Sequence, residues 1–147
     1  MPTLATLLLT PGPHAVPQAM AWLHAIAQRE QWHERTAFKL GLCLDEALTN
    51  IVMYGFPPDQ PLTAPMSAIT LTLQDDGQRL DLNIVDNGVA FDPTGRPAPA
   101  RAKSLDDAVI GGHGLRLMRH YLHDIHYERS GGHNRLRLTA THDPSQG

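Results

Sequence analysis

Glu46 and Asn50 stand one helical turn apart in the stretch LDEALTNIVMYGF, Leu44 to Phe56. A carboxylate and an amide carbonyl are both hard oxygen donors, the kind that Mg²⁺ takes directly or through water. A carboxylate so placed can also take a proton from a hydroxyl. The pair lies along the border of an apolar stripe formed by Leu40, Leu44, Ala47 and Ile51, taking about 100° of rotation per residue. Polar groups that close to an apolar stripe cost stability unless something pairs with them. Two readings are open: the pair points into a cavity between helix and sheet, or Asn50 bonds backbone and Glu46 is solvated.

Two further stretches carry chemistry. In VDNGVAFDP, Val85 to Pro93, an Asp ends an apolar strand and is followed by Asn-Gly. Asp86 there can accept a hydrogen bond from an exocyclic amine such as the N6 of adenine, and Gly88 lets backbone approach a flat ligand closely. The same residues would also make an ordinary Asp-Asn-Gly turn. In IGGHGLRLM, Ile110 to Met118, three glycines open a helix. Free N–H groups and the helix N-terminus favour anions, and Gly111, Gly112 and Gly114 permit the wrapping that phosphates require. A lid hinge would use the same glycines.

The elements that must position these residues follow from periodicity and punctuation. Thr3–Thr10 reads as a strand that can lie at an edge, stopped by Pro11-Gly12-Pro13. Apolar residues at helical spacing predict a helix from about His14 to Arg29 and a second from about Glu34 to Tyr54. After a proline-rich loop, Ser67–Gln74 and Arg79–Asp86 alternate as a hairpin. A long Pro/Gly-rich segment of weak periodicity, about residues 92–110, reads as a lid or binding loop. GLRLMRHYLHD is a short helix, and IHYERSGGHNRLRLTAT a second hairpin turning at Gly131-Gly132. Clustered helices and paired strands predict an α+β fold: a two-layer α/β sandwich with helices on one face of a mixed, mainly antiparallel sheet.

The bulk composition narrows the function classes. A chain of 147 residues with 41% hydrophobic residues suits one domain spanning 1–147 with a real core. A net charge of −3 gives no basic footprint, which argues against nucleic acid as a direct partner. No stretch approaches the roughly 20 apolar residues of a membrane span. The apolar N-terminal run is short and no Lys or Arg precedes it, so no secretory signal is read there. The lone Cys43 fits a reducing cytoplasm. His113, His120, His123, His126 and His133 crowd the last third. They have neither the H-E-x-x-H spacing nor a Cys partner, so surface or packing roles are read for them.

Taken together, an E-x-x-x-N helix, a D-x-G-x-x-F-D-P segment and a G-x-G-L helix start, in this order and with a lid between the last two, resemble the N, G1 and G2 boxes of the GHKL ATPase superfamily. This is the Bergerat nucleotide-binding fold. The compact length and short lid are similar to the anti-sigma-factor serine/threonine kinases within it. The resemblance implies ATP and Mg²⁺ as ligands, with ATP under the Asp92–Ile110 lid. It implies Glu46 as general base toward a substrate serine, and Asn50 as the Mg²⁺ ligand. It implies Asp86 as the adenine reader with Gly88 beside the ring, and Gly112, Gly114 and the Leu115 amide as the phosphate cradle. Asn134 stands with His133 where the family often has Gly-Thr, and would bond near the adenine through a water. The implied partners are a small anti-sigma antagonist as substrate, a sigma factor or similar regulator, and a second copy of the chain. Ile110 departs from the pattern: some of these kinases carry an arginine there, and Lys103, Arg101 or His113 would have to substitute. Two other functions remain compatible: a non-catalytic, nucleotide-dependent protein-binding switch, and the isolated ATP-binding domain of a histidine kinase.

Overall fold

The computed structural model describes residues 2–56, 68–92 and 116–144. Its elements are β1 (Thr3–Leu9), α1 (Ala15–Arg29), α2 (Glu34–Asn50), β2 (Ile69–Asp75), β3 (Arg79–Asp86), β4 (Asp124–Ser130) and β5 (His133–Thr141). Residues 116–121 are also helical. The strands form one sheet in the order β1-β2-β3-β5-β4, and every pairing between them is antiparallel. The mixed, mainly antiparallel sheet expected from the sequence is thus wholly antiparallel among the described strands, with β1 at one edge.

Alternation in the strands places Leu71, Leu73, Leu80, Leu82, Ile84, Leu136 and Leu138 on one face, where they are buried. Against that face pack α1, through Ala19, Leu23 and Ile26, and α2, through Leu40, Leu44, Ala47 and Leu48. The α2 stripe read from spacing is therefore the buried one, Ile51 included. Each fully buried leucine stabilises the fold by about 1.5–3 kcal/mol. The sheet's opposite face carries Thr72, Gln74, Asn83, Arg135 and Arg137.

Two features escaped the sequence reading. The α-helix does not run to Tyr54: it ends at Asn50, and Ile51–Gly55 forms a π-helical turn. Such turns recur at functional sites. Here the turn delivers the Gly55 carbonyl to the Val89 N–H at 2.9 Å, a tertiary bond that no periodicity reports. The chain beyond β5 is also tied down. Asp143 accepts from Thr36 Oγ1 at 2.9 Å and pairs with the buried Lys39 ammonium at 2.9 Å. Desolvation works to raise its carboxyl, but Lys39 and Thr36, together with the Arg35 charge, hold it below its ordinary value.

Helix α1 ends in a Schellman arrangement. Trp32 N–H donates to Ala27 O at 3.0 Å and Gln31 N–H to Gln28 O at 3.2 Å. Gln31 takes the left-handed position, with φ of 55°. A non-glycine residue there costs roughly 1–2 kcal/mol, part of which glycine returns as unfolded-state entropy. Gln31→Gly is therefore expected to raise stability by about 0.5–1 kcal/mol, read as a higher urea midpoint at unchanged slope. An unchanged or lower midpoint would show that Gln31 makes compensating contacts.

Candidate functional site

The last two turns of α2 present the first half of the site. Leu44, Ala47 and Leu48 are buried against the sheet, which leaves Glu46 and Asn50 half-buried along the border of the stripe. Their neighbours satisfy each other, since Thr49 donates to Asp45 at 3.2 Å. Among the described residues, the side chains of Glu46 and Asn50 make no hydrogen bond or ion pair. The Asn50 side chain bonds no backbone group among the described residues, and Glu46 keeps part of its surface in solvent. The charge of Glu46 is felt nearby: the Cys43 thiol is pushed up to about 12, mainly by burial and secondarily by Glu46.

This donor set fits a hydrated divalent cation. It offers one amide oxygen and one carboxylate, a turn apart and without partners among the described residues, and Mg²⁺ is commonly held by one or two protein ligands, with water and phosphate completing its shell. No three His, Cys, Asp or Glu side chains gather as a metal site among the described residues.

Asp86 forms the second half. It ends β3 and is 2% exposed. Its Oδ1 accepts from the Gly88 N–H at 2.9 Å and from Asn134 Nδ2 at 2.9 Å. Burial raises the carboxyl above its ordinary value, against the pull of those two donors and the more distant Arg129 charge. Asn87 anchors the turn by accepting from the Ala68 N–H at 2.8 Å.

Gly88 accommodates another part of the chain itself. A Cβ there would lie 2.3 Å from the Gly55 carbonyl oxygen and 2.9 Å from its carbon. The residue is thus a joint between the π turn and the Asp86 loop, and through it the two halves of the site are held together. Gly88→Ala is expected to cost about 1–3 kcal/mol, the typical result of forcing atoms into a packed place. Gly55→Ala is the control, because its Cβ would meet Asp86 Oδ1 and Ile51 Cγ2 at an ordinary 3.8 Å. Chemical denaturation of both variants checks the contrast, and equal losses would contradict it.

Asn134 lies opposite Asp86 in the β3–β5 register. It is 4% exposed, and its amide bonds to Tyr127, Phe91, Asp86 and Val89. Sequence reasoning missed three contributors. Tyr127 donates its hydroxyl to Asn134 Oδ1 at 2.5 Å. Arg129 donates from Nη1 to the Gly88 carbonyl at 2.9 Å. Tyr54 stacks on Phe91 at 5.5 Å between ring centroids. The alternation in β4 was the available signal, since it puts Tyr127 and Arg129 on the same side as Ile125. Gly112, Gly114 and Leu115, with Ile110, Lys103, Arg101 and His113, lie outside the described residues, as does the lid beyond Asp92.

A buried carboxylate at a strand end is thus joined to the helix that carries Glu-x-x-x-Asn, which brings the first two sequence motifs together among the described residues. The family model for the histidine kinase-like ATPase domain matches residues 9–140. This chain belongs to that family. The chain is also 47% identical over 139 residues to the serine/threonine-protein kinase BtrW of Bordetella bronchiseptica, an alignment covering 95% of this chain and 94% of that protein. Within this ATPase family fold, the described helices include none long and apolar enough to cross a membrane.

Proposed function

We propose that this ATPase-family chain is a serine/threonine protein kinase that phosphorylates a small anti-sigma antagonist and so controls a sigma factor or similar regulator in the cytoplasm. The observation that carries the proposal is the pairing of two oxygen donors without partners among the described residues, Glu46 and Asn50, with a buried carboxylate, Asp86, across the Gly55–Gly88 joint. The likeness to BtrW supports a protein hydroxyl as phosphoryl acceptor.

Each residue then has a distinct task. Asp86 accepts from the adenine amine. Asn50 supplies an oxygen toward Mg²⁺, which when bound would neutralise charge on the phosphates. Glu46 receives the proton of the incoming serine hydroxyl, which the half-exposed setting of its carboxylate permits. Transfer of this kind relies on positioning and charge stabilisation, so the helix and the Asp86 loop must keep a fixed relation. The Gly55–Val89 bond provides it.

A non-catalytic nucleotide switch is the second reading, favoured by Ile110 where a cation would assist transfer. Calorimetric titration with ATP, with and without Mg²⁺, tests the shared part of both. We expect Mg²⁺ to strengthen ATP binding in the native chain, and this gain to fall at least tenfold in Asn50→Ala. If neither Mg·ATP nor Mg·ADP binds at millimolar concentration, both readings are wrong. Incubation with labelled ATP and a small antagonist bearing an acceptor serine then separates kinase from switch.

A further inference from the structure

The side-chain amide of Asn134 has no hydrogen-bonding capacity left over. Its Oδ1 accepts from Tyr127 Oη–H at 2.5 Å and from the Phe91 N–H at 3.2 Å. Its Nδ2 donates to Asp86 Oδ1 at 2.9 Å and to the Val89 carbonyl at 2.8 Å. An amide offers two N–H donors and an oxygen with two lone pairs, and all four are used. The partners also fix which way the amide faces, because the Phe91 N–H can only donate and the Val89 carbonyl can only accept.

The consequence falls on Asp86. Both bonds that it accepts from described residues converge on Oδ1, from Asn134 and from the Gly88 N–H. Among the described residues nothing bonds Oδ2, the oxygen that would meet a ligand. We propose that Asn134 and Tyr127 are positioning residues that lock the Asp86 carboxylate with Oδ2 presented as a pure acceptor, and that this lock sets the preference for a 6-amino purine over a 6-oxo purine. The inference rests on the reading of Asp86 as the adenine partner. A 6-amino group donates to the fixed oxygen, whereas a 6-oxo group places acceptor against acceptor. Loosening the carboxylate removes the attraction for the first and the repulsion against the second. A direct contact of Asn134 with the base is not required, and the buried, saturated amide does not offer one.

The two effects have opposite signs, which separates this role from simple support of the fold. The test is titration calorimetry of the full chain with Mg·ADP and Mg·IDP. The proteins are the native chain, Asn134→Ala, Tyr127→Phe, Asp86→Asn and the double variant Asp86→Asn/Asn134→Ala. In Asn134→Ala, affinity for ADP is expected to fall at least fivefold while affinity for IDP stays within twofold or rises. In the Asp86→Asn background the Asn134→Ala change should add less than twofold, because contacts acting through one group are not additive. Tyr127→Phe keeps the ring and all other bonds, so it tests the same lock should Asn134→Ala not fold; a twofold to threefold drop in the ADP-to-IDP affinity ratio is expected. Equal losses for both nucleotides, or full additivity in the double variant, would overturn the inference while leaving Asp86 as adenine partner. If Asp86→Asn itself binds ADP as the native chain does, the underlying reading fails and the inference with it.

Discussion

Glu46→Gln is expected to lower phosphoryl transfer by about 10²–10⁴-fold, the usual worth of a positioned general base, while leaving Mg·ATP affinity within about twofold. The contrast follows from where the side chain sits. Glu46 is half-buried at the end of α2 and makes no hydrogen bond or ion pair among the described residues. An amide of the same shape therefore breaks no structural contact, and stability should stay within about 0.5 kcal/mol of the native chain. What disappears is only the capacity to receive a proton. Single-turnover transfer of labelled phosphate to the antagonist measures the first effect, and competition calorimetry the second. Native-level transfer in Glu46→Gln would place the base elsewhere, and loss of ATP binding would make Glu46 a ligand-holding group instead.

Asp86→Asn should show the opposite combination: nucleotide affinity falls about 100-fold, near 2.7 kcal/mol, while the fold is not weakened. Asn keeps an oxygen to accept from Gly88 and Asn134, so the internal bonds survive. Its amide nitrogen then takes the place of Oδ2 and sets a donor against the adenine amine. The stability side follows from linkage. Burial raises the carboxyl of Asp86 in the folded chain above its unfolded value. Between those two values the native state holds more protons than the unfolded state, so this group's contribution to stability declines as pH rises. Above the raised value the ionised carboxylate is a constant burden, and Asn removes it. Urea denaturation at several pH values should therefore give Asp86→Asn a midpoint at pH 7 equal to or above that of the native chain. It should also lack Asp86's share of the decline. A lower midpoint at pH 7 would mean that the charge itself is held favourably.

What could be read from the sequence was whatever depends on one segment at a time. Alternation marked β2, β3 and β5, and a helical stripe marked Leu40, Leu44, Ala47 and Ile51, because burial repeats with the geometry of a single element. The types of Glu46, Asn50 and Asp86 announced oxygen chemistry and carried the family resemblance without any knowledge of packing. Roles that need two distant segments were invisible. Asp86 and Asn134 meet because β3 pairs with β5 rather than only with its hairpin partner β2, across 48 residues of chain. Gly88 meets the Gly55 carbonyl, which arrives from the end of a π turn and leaves no space for a Cβ. The sequence by itself therefore determined most of the elements and named the candidate side chains. Only the tertiary structure decided that Asn134 holds Asp86, since hydrogen-bond saturation is a property of the assembled neighbours and not of any residue alone.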